Sequence, residues 1–296
     1  MMDAAAQTIA PPSRMAGRWR RFFRDPVALL AALVLLATIV VALFAPHLTH
    51  FDPYKNQIMQ RLKPPVWVTG GSAAHPLGTD EMGRDLLTRL IYGARISLVV
   101  ALTVPIISAL VGVTLGLTSG LLGGWVDTAI MTVVDIALTF PFLVLALALI
   151  GVLGQGLRNI ILVLGLTGWP SFARLVRGQV LEIREREYVG AARALGAENL
   201  RIAIHHVLPN LVSPIIVLAS LETASAIIAE SSLSFLGLGI PTPIPSWGTM
   251  LAGGKPYIET AWWMALFPGL FILVTSLCLN IIGDRVRDVL DPKLEL

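Results

Sequence analysis

Six separate apolar runs, each near the length needed to cross a bilayer, constrain this chain more than any other feature. They fall at 27–44, 97–117, 128–150, 159–173, 211–230 and 262–282. Charged residues make up only 14% of the 296, where a soluble domain carries roughly a quarter, so lipid is the expected solvent for most of the surface. In hydrocarbon a helix satisfies its own backbone groups, which makes an all-α polytopic membrane protein with six transmembrane helices the expected fold. Trp169-Pro170 is expected to break the fourth run near one end.

The first run follows Arg14, Arg18, Arg20, Arg21 and Arg24. It is longer than a signal-peptide core, and Leu43-Phe44-Ala45 makes a poor cleavage site, so an uncleaved first helix is expected. With six spans both termini share one side. Placing them in the cytoplasm puts 14 of the 22 Lys and Arg inside, which agrees with the positive-inside rule although the long first outer loop dissents. The net charge of +3 comes without a basic stripe interleaved with aromatics, so no nucleic-acid partner is expected. The single Cys278 sits in an apolar run and excludes an internal disulfide.

Within the first outer loop, residues 80–92 read as a short amphipathic helix. Leu86, Leu87, Leu90 and Ile91 share a face that Asp80, Arg84, Asp85 and Arg89 avoid. The segment fits either the membrane interface or a solvated surface. Gly112, Gly116, Gly120 and Gly124 recur every fourth residue and predict close approach of a second helix, in this chain or a partner. Pro241, Pro243 and Pro245 predict a rigid outer loop, followed by Trp262-Trp263 as an interfacial anchor.

Three acidic residues fall inside apolar runs: Asp135, Glu222 and Glu230. At 1.5 Å per residue Glu222 lies about 16 Å into its span, near the bilayer midplane. A charge at such depth must be paired or face water, so Glu222 and Asp135 are candidates for a translocation path, and Glu230, at the end of the same run as Glu222, is a third. A protonated or hydrogen-bonded residue in bundle packing stands as the other reading of Asp135 and Glu222. His47 and His50, and the adjacent His205-His206, lack carboxylate or thiol companions at metal spacing, so no metal site is expected. Gly253-Gly254-Lys255-Pro256 lacks the spacing and hydroxyl of a phosphate loop. No zinc-protease helix or nucleophile elbow occurs either, and no catalytic residue is expected.

The cytoplasmic stretch between runs four and five predicts a helix over 182–195, a bend at Gly196, and a second short helix over 198–206, both parallel to the membrane. Ala191, Ala192 and Ala194 give it a smooth face that another protein can approach. Its Gly190-Ala191-Ala192, Gly196 and Leu208-Pro209 are similar to the coupling loop of binding-protein-dependent importers. Further stretches resemble the dipeptide, oligopeptide and nickel permease subfamily: His75 to Asp80, Gly83-Arg84-Asp85, Gly93 to Leu98, Ala229 to Gly239, Pro245 to Gly248, and Gly283 to Pro292.

This resemblance implies a tail over 1–25, a first helix with periplasmic loop over 26–96, and a five-helix permease core over 97–296 with its coupling loop at 182–209. It implies that Glu187, Tyr188, Ala191, Ala192, Arg193, Ala194, Gly196, Ala197, Leu208 and Pro209 meet an ATPase. Where the family commonly places Glu, this chain has Gly190. The implied partners are a homologous second permease, two ATPase subunits that bind ATP and Mg²⁺, a periplasmic or lipid-anchored substrate-binding protein, and membrane lipid. The implied activity is passage of dipeptides or oligopeptides through a bacterial inner membrane, with nickel or another small solute as the alternative cargo. A stand-alone channel or secondary transporter would not need the coupling segment.

Overall fold

A computed structural model describes residues 25–290; most of the expected tail, and Asp291-Pro292 of the last motif, lie outside the described residues. The architecture is helical, with two isolated β-bridges and no strand among the described residues. Five helices there are long and apolar enough to span a membrane: α1 (Pro26–Leu43), α2 (Leu86–Leu122), α5 (Leu157–Arg184), α7 (Leu208–Phe235) and α9 (Trp263–Leu290). A sixth span arises if the bent pair α3 (Gly124–Thr139) and α4 (Phe142–Leu153) counts as one. Shorter helices lie between them, the longest being α6 (Glu187–Ala194) and α8 (Trp247–Gly254).

Local chemistry explains the boundaries. Asp25 caps α1 by accepting from the backbone N–H of Val27 at 2.9 Å, and Pro26 occupies the first turn, where its missing N–H costs nothing. The third apolar run is not the single helix its composition suggests. It bends by 92° at Phe140-Pro141, because proline drives the preceding residue into extended backbone and cannot continue the ladder. The fourth run does the opposite. Pro170 lies buried inside a continuous α5, which runs on to Arg184 instead of breaking at Trp169-Pro170. Packing against α2 holds the helix together there.

That α2–α5 contact explains the glycine spacing. A Cβ at Gly112, Gly116 or Gly120 would lie 2.4–2.8 Å from α5 atoms of Phe172, Ala173, Val176 or Val180. The partner helix is therefore within the chain, and the backbones meet where no side chain intervenes. Gly124, the fourth in the series, faces open space and only begins α3.

Long-range bonds sort the helix ends into two groups. Asp25 pairs with Arg285 at 2.5 Å, Arg184 donates to the Gly120 carbonyl at 3.2 Å, and Ser213 donates to that of Leu290 at 3.1 Å. These gather one end, called here the coupling end. At the opposite, outer end Trp247 Nε1 donates to the Leu90 carbonyl at 3.0 Å and Trp263 Nε1 to that of Thr79 at 3.1 Å. Trp263 is buried, so it serves as a clamp on the outer loop, while Trp262 alone stays partly exposed.

The outer loop departs most from its sequence reading. No separate interfacial helix forms over 80–92; α2 starts at Leu86, capped by Asp85 accepting from the Thr88 N–H at 2.8 Å. Asp80, Arg84, Asp85 and Arg89 are buried rather than solvated. Asp80 receives Arg84 Nε at 2.7 Å and faces Arg89 Nε at 3.4 Å, and Arg89 also donates to the Pro53 carbonyl at 2.9 Å. His75 Nδ1 bonds Asp85 at 2.9 Å beneath the ring of Phe51. Burial, with the Asp80 charge beside it, pushes the Glu81 carboxyl above the usual carboxylate range. These charges can be buried because each has a partner. The expected division between 96 and 97 falls inside the continuous α2.

Candidate functional site

At the coupling end, α5 stops at Arg184 and Arg186 takes an extended conformation before the eight residues of α6. The expected single helix over 182–195 is thus two helices meeting at a corner. Val189 is fully buried and fastens α6 to a cluster of Val176, Val180, Ile183, Ile202, Val207 and Leu211. Around it, Glu187, Tyr188, Gly190, Ala191, Arg193 and Ala194 are exposed and Ala192 half-buried. Leu195, 90% exposed, stands at the tip.

Gly196 turns the chain at φ +86°, the left-handed conformation expected from the sequence. Its N–H donates to the Arg193 carbonyl at 3.0 Å and that of Ala197 to Ala192 at 3.1 Å, the paired bonds of a Schellman cap. The half-buried Ala197 completes this turn. The second leg is not an independent helix over 198–206. One turn at Asn199–Ile202 passes through a π-helical turn, Ala203–Val207, directly into α7, with Leu208 and Pro209 exposed in its first turn. Pro209 supplies the reason. Its ring crowds the His205 carbonyl and it lacks an N–H, so the wider turn relieves the clash. The Leu208 N–H reaches back to Ala203, and Asn210 Nδ2 covers the His206 carbonyl at 2.6 Å. Tyr188 packs on His206 with ring centroids 5.9 Å apart, tying α6 to this joint.

Beside this segment a cavity of about 980 Å³ opens between α5 and α7, lined in part by Arg174, Glu182, Arg186, Asn210 and Arg287. A second cavity of about 270 Å³ lies further from the coupling end and shares Leu138 and Ser171 with the first. Glu222 lines this inner cavity with Thr167, Ser171, Ser225 and the aromatic rings of Phe140 and Phe142. The 92° bend at Pro141 forms one wall, so the broken span makes room here.

The three acidic candidates have different surroundings. Asp135 pairs with Arg174 at 2.5 Å, and both remain more than half exposed. Glu222 has no hydrogen-bond or ion-pair partner among the described residues and faces the inner cavity. Glu230 lines neither cavity. It is fully buried and accepts from Ser234 at 2.8 Å, Ser246 at 2.9 Å and Ser231 at 3.4 Å. Since Ser246 also caps α8, Glu230 joins α7 to α8. Sequence reasoning missed a further pair, Asp127 with Arg177, bonded twice at 2.6 Å between α3 and α5. The signal was available as basic residues at 174 and 177 late in a spanning run, but it became legible only once α3 was known to lie alongside.

Residues 112–296 match the family described as the binding-protein-dependent transport system inner membrane component, and residues 13–65 match the N-terminal TM domain of oligopeptide transport permease C. The chain belongs to this family. It is a permease subunit of an ABC importer and a multi-pass inner-membrane protein, and such a component works with partners at the membrane. Among its relatives, the di/tripeptide transport system permease protein DppC of Pseudomonas aeruginosa (strain UCBPP-PA14) is 43% identical over 99% of this chain and 96% of that protein. The dipeptide transport system permease protein DppC of Escherichia coli (strain K12) is 45% identical over 94% of this chain and 92% of that one. A solved structure, the inward facing MetNI methionine ABC transporter, aligns with a TM-score of 0.56 at 21% identity, over 68% of this chain and 96% of its own. That likeness bears on the fold alone.

Proposed function

We propose that this permease passes dipeptides and short oligopeptides across the inner membrane, with α6 and the turn to Pro209 coupling it to ATPase subunits. One observation carries the coupling reading: α6 is held by the buried Val189 and the Tyr188–His206 contact and otherwise exposes Glu187, Gly190, Ala191, Arg193 and Ala194, with an exposed Leu195 at its tip beside the mouth of the cleft. Peptide cargo, rather than nickel, is supported by relatives named for dipeptides that are 43–45% identical over nearly the whole chain. Ion pairs and the Glu222 carboxylate on the α3–α5–α7 side contrast with the wholly apolar exposed face of α1, which suits lipid. The cleft side is therefore this chain's half of the path, completed by a homologous second permease.

In this reading the coupling end is cytoplasmic, so the described chain begins and ends inside. Two ATPase subunits bind ATP and Mg²⁺ and perform the hydrolysis, while this chain contributes no catalytic residue and no cofactor site. Closure of the ATPases pushes on α6, and the Tyr188–His206 contact and the π-turn pass that movement into α7. A periplasmic or lipid-anchored binding protein delivers cargo at the outer end.

The test is co-purification of the permease pair with its ATPases. Leu195→Asp and Ala192→Arg are expected to lose the ATPases while retaining the second permease, because neither side chain belongs to the buried cluster. Retention of the ATPases by both variants would sink the coupling assignment.

A further inference from the structure

The cleft has a charge order along its length that none of the preceding readings uses. Ser171 lines both cavities, Glu222 only the inner one and Arg174 only the outer one. Both α5 and α7 leave the coupling end, where Glu182, Arg186, Pro209 and Asn210 line one cavity mouth. Glu222 lies about 21 Å along α7 from Leu208, and Arg174 about 15 Å along α5 from Arg184, at 1.5 Å per residue. By helix rise alone, the Glu222 backbone lies about 6 Å further along its helix from that end than the Arg174 backbone does along its own.

The two charges are not spent on one another. Glu222 has no partner among the described residues, and Arg174 gives Asp135 a single bond and keeps further N–H donors free. An unpaired carboxylate at mid-span is unfavourable in hydrocarbon and calls for a cation or water. The cavity around it is walled mainly by aliphatic side chains, with the hydroxyls of Thr167, Ser171 and Ser225 and the rings of Phe140 and Phe142 among them, and no basic residue lines it. No basic side chain among the described residues pairs with it.

We propose that Glu222 and Arg174 form a transient subsite for a zwitterionic peptide, the Glu222 carboxylate taking its α-ammonium and the Arg174 guanidinium its α-carboxylate. An extended dipeptide spans at most about 7 Å, the same order as that backbone offset. The inner cavity, about 270 Å³, accommodates the amino-terminal residue, with Phe140 and Phe142 against its side chain. The wider outer cavity receives the rest of the chain, so longer peptides extend toward the coupling end. The subsite requires no side chain contact of fixed identity, which suits cargo that varies in side chains but keeps both termini. This inference rests on the peptide reading of the cargo given above.

The experiment uses the complete importer in liposomes: both permeases, both ATPases and the binding protein, with a labelled dipeptide. Glu222→Gln is expected to lower uptake about tenfold, the order of one desolvated charge contact. Glu222→Asp, which keeps the charge, should retain most of it. Equal uptake by Glu222→Gln and the unsubstituted importer would overturn the subsite, as would Glu222→Asp falling as far as Glu222→Gln. A second measurement needs no substitution. A dipeptide carrying a photoreactive group at its amino-terminal residue should cross-link to residues flanking Glu222, and one labelled at the carboxy-terminal residue to those flanking Arg174. Cross-links that ignore the position of the label, or fall outside the cleft, would also overturn it. An unsubstituted importer that hydrolyses ATP with its binding protein but takes up no dipeptide overturns the cargo reading itself, and the zwitterion subsite with it.

Discussion

The two ends of this permease bury charge in opposite ways. At the outer end Asp80, Arg84, Asp85, Arg89 and His75 are all nearly inaccessible, and each is bonded to the loop or to α2. Indole N–H groups then lock this end to helices more than 150 residues away in sequence, Trp247 bonding the first turns of α2 and Trp263 the loop. At the coupling end the charged residues Glu187, Arg193 and Glu198 are exposed, and α6 is held by one buried valine and a ring contact. The outer end is built as a rigid cap, whereas the coupling end is a lightly held lever whose attachment can yield. A protein that opens on alternate sides needs that division, because movement must be confined to elements of low local stability.

The sharpest way to break the contrast is Asp80→Ala. It leaves two buried guanidinium groups without their shared carboxylate, and stability should fall by about 3–5 kcal/mol. The check is the thermal midpoint and yield of the purified permease pair, and a midpoint equal to that of the unsubstituted chain would show the cap is not rigid in the sense argued. Next in size is Val189→Ala. Removing two buried methyl groups should cost about 1–2 kcal/mol. The effect belongs to α6 alone, so protease or hydrogen-exchange protection should drop over 187–197 while the outer loop stays protected. A loss spread evenly over both ends would contradict the lever description.

The smallest effect sharpens the comparison. Gly190 is helical and a Cβ there meets nothing within 4 Å, so Gly190→Ala should stabilise α6 by up to about 1 kcal/mol through helix propensity. Exchange in α6 is expected to slow, with the cap unchanged. Gly190→Glu adds the charge the family commonly carries. If ATPase co-purification then improves, the contact uses that carboxylate; if it does not, packing by Leu195 and the alanines suffices.

Much of this architecture could be read before any fold was known, because the signals were local. Apolar runs of spanning length, the glycine series, the bend at Gly196 and the ordered motifs each depend on residues a few positions apart. Helix ends were less legible where proline was involved. Pro141 bends a run that composition alone presents as continuous, while Pro170 interrupts nothing, and the difference lies in what packs alongside each. The acidic residues divide the same way. Depth marked Asp135 and Glu222 as charges needing company, but the partner of Asp135 lies 39 residues away and Glu222 has none among the described residues, while Glu230 at the run's end reaches Ser246, 16 residues on.

The buried cap was the least legible part of all. Hydrophobic periodicity assigns Asp80, Arg84, Asp85 and Arg89 to a polar face, and a polar face reads as water-facing unless the neighbours are known. Hydropathy and turn chemistry were enough to specify a membrane-spanning helical bundle with a glycine bend at Gly196, since each residue's contribution there depends on solvent and adjacent backbone. Which charges are buried, which are paired and which one is left waiting in the cleft depended on the packing of distant helices, because an ion's partner is chosen by space and not by sequence order.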